Sequence, residues 1–117
     1  MTGLSTTLPQ NLRALMEEGR VDQALAELSH CEIGAREPDR GITALHITPC
    51  PDELVRRLVE RGEDINAADR YGRRPLHERV CWAHKDQIGL LLELGAEVDA
   101  PDKDGRTPLH AAAEGLC

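Results

Sequence analysis

Phenylalanine is absent from this 117-residue chain, and tryptophan and tyrosine occur once each. A core must therefore be built from Leu, Val, Ile and Ala, which favours thin, closely packed helices over an aromatic-filled sandwich. No run approaches the roughly 18 apolar residues of a membrane-spanning helix. The first ten residues have neither a basic start nor an apolar stretch, so no secretion signal is expected. Basic clusters are also lacking. The longest has two residues, and 21 acidic residues against 14 Lys and Arg give a net charge of −7. Phosphate backbones and anionic membranes are therefore disfavoured as partners, whereas a neutral or basic protein surface is compatible. None of the four cysteines, at 31, 50, 81 and 117, forms a Cys-x-x-Cys pair. Free thiols, no disulfide and a cytoplasmic location are expected.

What is present is repetition. Asp39-Arg-Gly-Ile-Thr-Ala-Leu-His46 is followed by Asp69-Arg-Tyr-Gly-Arg-Arg-Pro-Leu-His77 and Asp102-Lys-Asp-Gly-Arg-Thr-Pro-Leu-His110. The three histidines lie 31 and then 33 residues apart, and Gly41, Gly72 and Gly105 keep the same spacing. A second block runs in phase with the first: Leu54-Val-Arg-Arg-Leu-Val-Glu-Arg-Gly62 matches Gln87-Ile-Gly-Leu-Leu-Leu-Glu-Leu-Gly95. Leu54, Val55, Leu58 and Val59 make one helical face, and Ile88, Leu91 and Leu92 repeat it. Gly62 and Gly95 close those helices. Thr43 and Thr107 open shorter ones, with Pro108 and Pro75 in a tolerated first turn. Asp69 to Gly72 and Asp102 to Gly105 read as tight turns. Each unit is thus turn, short helix, longer helix and loop, and stacked units would share one core.

Thr107-Pro-Leu-His-Ala-Ala112, Leu91-Leu-x-x-Gly-Ala96 and Asp102-x-x-Gly105 resemble the ankyrin repeat over about residues 36–117. The resemblance implies an all-α solenoid of stacked antiparallel helix pairs with short β-hairpin-like loops. It also implies a single domain, 1–117, with repeats at 36–68 (first helix shortened), 69–101 and 102–117 (partial). Gly19-Arg-Val resembles the turn between paired helices, and Gly34-Ala35 the pair that follows a second helix. Residues 8–35 are accordingly read as a degenerate capping repeat, with a shortened first finger. The last repeat supplies one helix only, leaving Leu109 little to pack against, so the natural chain is expected to continue.

Departures from the pattern carry information. His46 to Gly62 is 16 residues where His77 to Gly95 is 18, and Pro49 and Pro51 fall where the first helix should end. A first helix of little more than one turn is expected, with the next starting near Pro51 or Asp52 and Asp52 or Glu53 at its positive end. Arg79 stands where Ala112 stands later, and must snorkel or find a carboxylate. Gly89, inside a helix, either admits a close neighbour or is simple drift.

Candidate chemistry is thin. His46, His77 and His110 lie one repeat apart, roughly 10 Å by helix packing, too far to share a metal ion. The resemblance instead implies that each bonds within its turns. Thr43 and Thr107 stand three residues before His46 and His110, and Arg74 breaks the pattern before His77. Cys50 and Cys81 sit four residues after histidines and would form a ladder, but neither has a third catalytic or ligating member. The recurrent aspartates do not alternate as a calcium loop does. Asn66 and Asp99 are read as structural.

No catalysis and no cofactor are expected. The resemblance implies a protein-protein interaction module that binds through its fingers and the concave side of its first helices. Carried over residue by residue, the contact positions are Arg70, Tyr71, Arg73, Cys81, Trp82, Lys103, Asp104 and Arg106. Thr43, His46, His77, Thr107, His110, Gly62 and Gly95 are structural. The expected partner is a protein of unknown identity, with neither nucleic acid nor membrane, bound by a monomer. The other readings are a small acidic inhibitor or immunity-type protein, and a thiol- or metal-dependent enzyme.

Overall fold

The computed structural model describes residues 4–81 and 85–114. The chain forms two compact units, Met1–Asp64 and Ile65–Cys117. No helix among the described residues is long and apolar enough to cross a membrane.

The first unit runs β1 (Ser5–Thr7), α1 (Leu12–Glu17), α2 (Val21–Leu28), β2 (Cys31–Arg36), a 3-10 turn (Ala44–His46) and α3 (Asp52–Glu60). Leu12 and Met16 of α1, and Ala24 and Leu28 of α2, are buried at i, i+4 spacing, giving each short helix one apolar edge. Arg20 N–H donates to Leu15 O at 2.9 Å and Gly19 N–H to Met16 O at 3.1 Å, which closes α1 before α2 begins. In α3, Leu54, Val55 and Leu58 are fully buried, and Asp52 and Glu53 occupy the first turn, where carboxylates complement the helix's positive end.

The shortened helix after Thr43 is three residues long, against seven for its counterpart, α4 (Pro75–Cys81). Pro49 and Pro51 bring no N–H to a further turn, so the chain leaves the 3-10 geometry after His46. Thr48–Pro49 is cis.

The expectation of an all-helical chain does not hold here. β1 and β2 pair in parallel, with Ser5 opposite Cys31 and Thr7 opposite Arg36. The reason is the early end of α2 at Leu28. Gly34 is therefore not the residue after a helix but lies within β2, and an extended segment fills the shortened first finger.

The second unit carries α4, α5 (Lys85–Glu93) and α6 (Pro108–Ala113). Pro75 and Pro108 open α4 and α6 as expected, where a missing N–H costs nothing. Leu91 is fully buried, as its place in the apolar stripe requires. The rest of that stripe is displaced: Leu90 is buried, Ile88 half-buried and Leu92 exposed. In the aligned first unit, the position of Leu90 holds the exposed Arg57, so the two longer helices use different edges. Leu109 is 74% exposed, whereas the same position in the preceding repeats, Leu45 and Leu76, is 0% and 3% exposed. Among the described residues, a Cβ on Gly89 would meet nothing within 4 Å, so this glycine makes no close approach to any of them.

Candidate functional site: the finger turns

Two turns of the second unit are built alike, atom for atom. Asp69 Oδ1 accepts from the N–H groups of Tyr71 (2.8 Å) and Arg73 (2.9 Å), and Asp102 Oδ1 from those of Asp104 and Arg106 (2.9 Å each). Asp69 N–H returns to Arg73 O and Asp102 N–H to Arg106 O, both at 2.8 Å. A short carboxylate thus satisfies the donors that a tight turn leaves unpaired. Burial pushes the Asp102 carboxyl up, but the N–H groups of Arg106 and Asp104 outweigh it and hold the group below its ordinary range.

Successive turns are tied by Lys103 N–H donating to Tyr71 O at 3.0 Å. Gly72, with φ +77°, sits under that bond. A Cβ there would lie 2.7 Å from Lys103 N, so both the backbone angle and the close approach demand glycine. Asn66 makes a second tie. Its amide nitrogen donates to Gly95 O at 3.1 Å, and its oxygen accepts from Glu97 N–H at 2.8 Å.

The histidines bond within their turns in two of three cases. His46 Nδ1 accepts from Thr43 N–H and pairs with the Thr43 hydroxyl, both at 3.0 Å. His77 Nδ1 accepts from Arg74 N–H at 3.0 Å, so the missing threonine is replaced by the backbone donor that Thr43 also uses. His77 Nε2 then donates to Arg106 O at 3.1 Å, which defines a neutral ring fixed at both nitrogens. Burial depresses the basicity of His77, and Arg73 adds to the effect. His110 departs from this arrangement. Its ring is exposed and reaches Glu114 at 3.2 Å, while its backbone N–H donates to Thr107 Oγ1 at 3.2 Å. Gly62 and Gly95 both follow their helices with positive φ, and the next N–H of each closes back on Leu58 O or Leu91 O.

The nominated contact residues separate into two groups. Arg70, Tyr71, Lys103 and Asp104 are exposed at the turn tips, Tyr71 by 55%. Arg73 is turned inward, its Nε 3.4 Å from Glu78 Oε1 and its Nη2 donating to Cys81 Sγ at 3.1 Å. Arg106 is braced by Asp104 at 3.0 Å and Glu114 at 3.2 Å. Trp82 lies outside the described residues. Cys81 is disulfide-bonded, which overturns the expectation of no disulfide. A bridge requires only that the fold bring two Cα atoms close, and sequence spacing does not reveal this. Cys50 is a buried thiol beyond the end of the 3-10 turn, whereas Cys81 closes α4. Arg79 does not snorkel. It is fully buried, with Nε donating to Gln87 Oε1 at 3.0 Å.

The first unit holds residues that the sequence reading missed. Its turn is anchored by Glu37, not Asp39. Glu37 N–H donates to Ile42 O at 2.9 Å, and Glu37 Oε1 accepts from the N–H groups of Arg40 and Gly41. Burial raises the Glu37 carboxyl, but these backbone donors outweigh it and lower it overall. The turn is one residue longer than its counterparts, and the longer side chain spans it. A larger network centres on Arg61. Its guanidinium donates to the carbonyls of Leu28 (2.9 Å), Cys31 (3.3 Å) and Glu32 (3.4 Å) and pairs with Glu63 at 3.2 Å. The buried Glu63 accepts from Gly34 N–H at 3.1 Å. The signal was present in the sequence: Arg61-Gly62-Glu63 stands where the next repeat has Leu94-Gly95-Ala96.

A family model described as ankyrin repeats (3 copies) matches residues 12–102 and 53–116. The chain belongs to the ankyrin-repeat family. Members of that family generally act as protein-protein interaction modules and are typically without catalysis. No curated protein matches the chain.

Proposed function

We propose that this chain is a monomeric protein-binding module whose contact surface is the pair of turn tips carrying Arg70, Tyr71, Lys103 and Asp104. The observation that supports this reading is a division of labour in the turns. Asp69, Asp102 and the Lys103–Tyr71 backbone bond satisfy the turn donors from within, and the side chains of Arg70, Tyr71, Lys103 and Asp104 are exposed at the tips of that frame. An exposed tyrosine between two cations is the composition of an interface anchor. The net charge of −7 would steer basic partners towards the chain. Nucleic acid and membranes are not among the proposed ligands, and neither cofactor nor catalysis is invoked. The composition favours a cytoplasmic setting, whereas the disulfide at Cys81 favours an oxidising one. Counting alkylated thiols on protein taken directly from cells, before and after reduction, distinguishes the two.

The test of the interface is a pull-down to obtain the partner, followed by titration calorimetry with the double variant Arg70→Ala/Tyr71→Ala. Binding at least tenfold weaker, about 1.4 kcal/mol, with an unchanged melting curve is expected. Unchanged affinity would move the interface away from these tips.

A further inference from the structure

We propose that the face of the second unit carrying Val98, Leu109 and His110 is an open seam, onto which the finger turn and first helix of an ankyrin repeat in another protein dock as residues 102–113 dock on the repeat before them. This surface uses neither the Arg70 nor the Tyr71 side chain and so stands apart from the interface proposed above.

Three observations support the inference. First, the repeat itself shows what covers such a face. Ile65, Leu76 and His77 stand 33 residues before Val98, Leu109 and His110. At that internal seam α6 packs on α4, and Ile65, Leu76 and His77 are 7%, 3% and 0% exposed. Val98 and Leu109 are 57% and 74% exposed, and the His110 side chain 57%. Equivalent side chains are thus buried at one seam and open at the other, and apolar side chains gathered on an exposed face mark an interaction surface. Second, the polar ties recur in register. At the internal seam His77 Nε2 donates to Arg106 O at 3.1 Å, and Tyr71 O accepts from Lys103 N–H at 3.0 Å. The equivalent atoms here are His110 Nε2, which rests 3.2 Å from a carboxylate oxygen of the exposed Glu114, and the carbonyl oxygen of the exposed Asp104. Third, these atoms define the occupant. Arg106 O and Lys103 N–H lie two and five residues ahead of Pro108, where α6 begins. A lone helix has its free N–H groups at one end and its free carbonyls at the other, so it cannot supply both beside the same helix start, whereas a turn leading into a helix can. Asp99 stands in Asn66's place, and its carboxylate has no N–H to donate to the carbonyl that Gly95 presents to Asn66. The open seam therefore has one tie fewer than the internal one, which suits a partner that binds and leaves.

The test uses the full chain and, as probe, a consensus array of ankyrin repeats whose first repeat carries no N-terminal cap. Titration calorimetry and sedimentation should give a complex of one chain with one array, weakened at least tenfold by Val98→Glu/Leu109→Glu with an unchanged melting curve. Asp99→Asn, which restores the donor that Asn66 supplies, should tighten binding about threefold or more. The same array with its polar cap in place should not bind. No complex with the uncapped array, equal binding of the capped one, or equal binding by the folded double variant overturns the proposal. A dimer of the chain alone that the double variant abolishes also overturns it, because the face then belongs to a second copy. Should the double variant fail to fold, Asp99→Asn decides, and unchanged affinity there overturns the proposal.

Discussion

The two units solve one problem with different chemistry. Each must pair the backbone groups that a turn and a helix end leave open. The second unit does so with short side chains at fixed positions: Asp69, Asp102 and Asn66, each bonded to backbone within its own turn or the next repeat. In the first unit the finger is short and α2 ends early, so these devices are out of reach. Long side chains do the work instead, with Glu37 spanning its turn and Arg61 reaching three carbonyls from beyond α3. The difference shows that the hydrogen-bond inventory is what the fold preserves, while the residues that close it follow from local chain length.

The largest effect should come from breaking the Arg61 network. Arg61→Ala strands the buried Glu63 carboxylate, and a cost of about 3–5 kcal/mol in urea unfolding is expected. Arg61→Leu/Glu63→Ala, which installs the second unit's residues, should cost less than the single change because no charge is left buried. If the double variant is the less stable, the carbonyl contacts outweigh the ion pair. Next is Leu91→Ala, at roughly 2–5 kcal/mol from lost burial and a residual cavity, against under about 0.5 kcal/mol for the exposed Leu109→Ala. Similar values for the two would contradict their opposite burial.

Gly72→Ala and Gly105→Ala compare two turns with nearly the same φ, +77° and +78°. The second should cost roughly 1–2 kcal/mol for the left-handed angle alone. The first should cost roughly 2–4 kcal/mol, because its Cβ also meets the backbone of Lys103. Equal costs would show that the Lys103–Tyr71 bond yields without penalty. Gly89→Ala should raise stability by about 1 kcal/mol, since the helix gains propensity and the new methyl meets open space. A loss would reveal a contact at that position.

The gentlest test is pH. Burial holds His77 below its ordinary value of 6.5 in the folded chain. The unfolded chain therefore binds the proton first, and stability falls as pH drops below about 6.5 towards the lower folded value. Above that window the contribution is complete. Urea midpoints at pH 7, 6 and 5 should decline, and less steeply in His77→Asn. Asp102, also lowered, adds a loss at more acid pH. A slope unaffected by the variant would assign the proton uptake elsewhere.

The repeats were legible because glycine and aspartate at tight turns are dictated by backbone geometry that recurs with the chain trace. The helix starts at Pro75 and Pro108 and the shortening before Pro49 followed from proline's missing donor in the same way. Glu37 was missed because alignment on the aspartates placed Asp39 in its role, when the extra residue in that turn calls for a longer acid. Arg61 and Glu63 were visible as departures from Leu94 and Ala96. Their partners, Leu28, Cys31, Glu32 and Gly34, lie about 30 residues upstream, at distances set by the fold. The bridge at Cys81 and the pairing of β1 with β2 are likewise long-range facts without a local pattern. Among the nominated tip residues, the family resemblance did not separate the outward Arg70 from the inward Arg73. That distinction depends on Glu78, one turn into α4, being placed to receive Arg73.

The joint between neighbouring repeats in the second unit has a consequence for how such a chain can lengthen. Asn66 reads the main-chain atoms of Gly95 and Glu97, His77 reads the carbonyl of Arg106, and Tyr71 gives its carbonyl to the Lys103 amide. On the receiving side every atom is backbone, so these bonds are indifferent to which side chains the next repeat carries. A tandem duplication of residues 69–101 would repeat the Tyr71 and His77 bonds at its new junction, but Asp99 would stand in Asn66's place there, and its carboxylate has no N–H to donate to the next Gly95 carbonyl. Growth by copying whole repeats thereby requires one change at the seam, Asp99→Asn, and leaves each copy free to diverge at its tips.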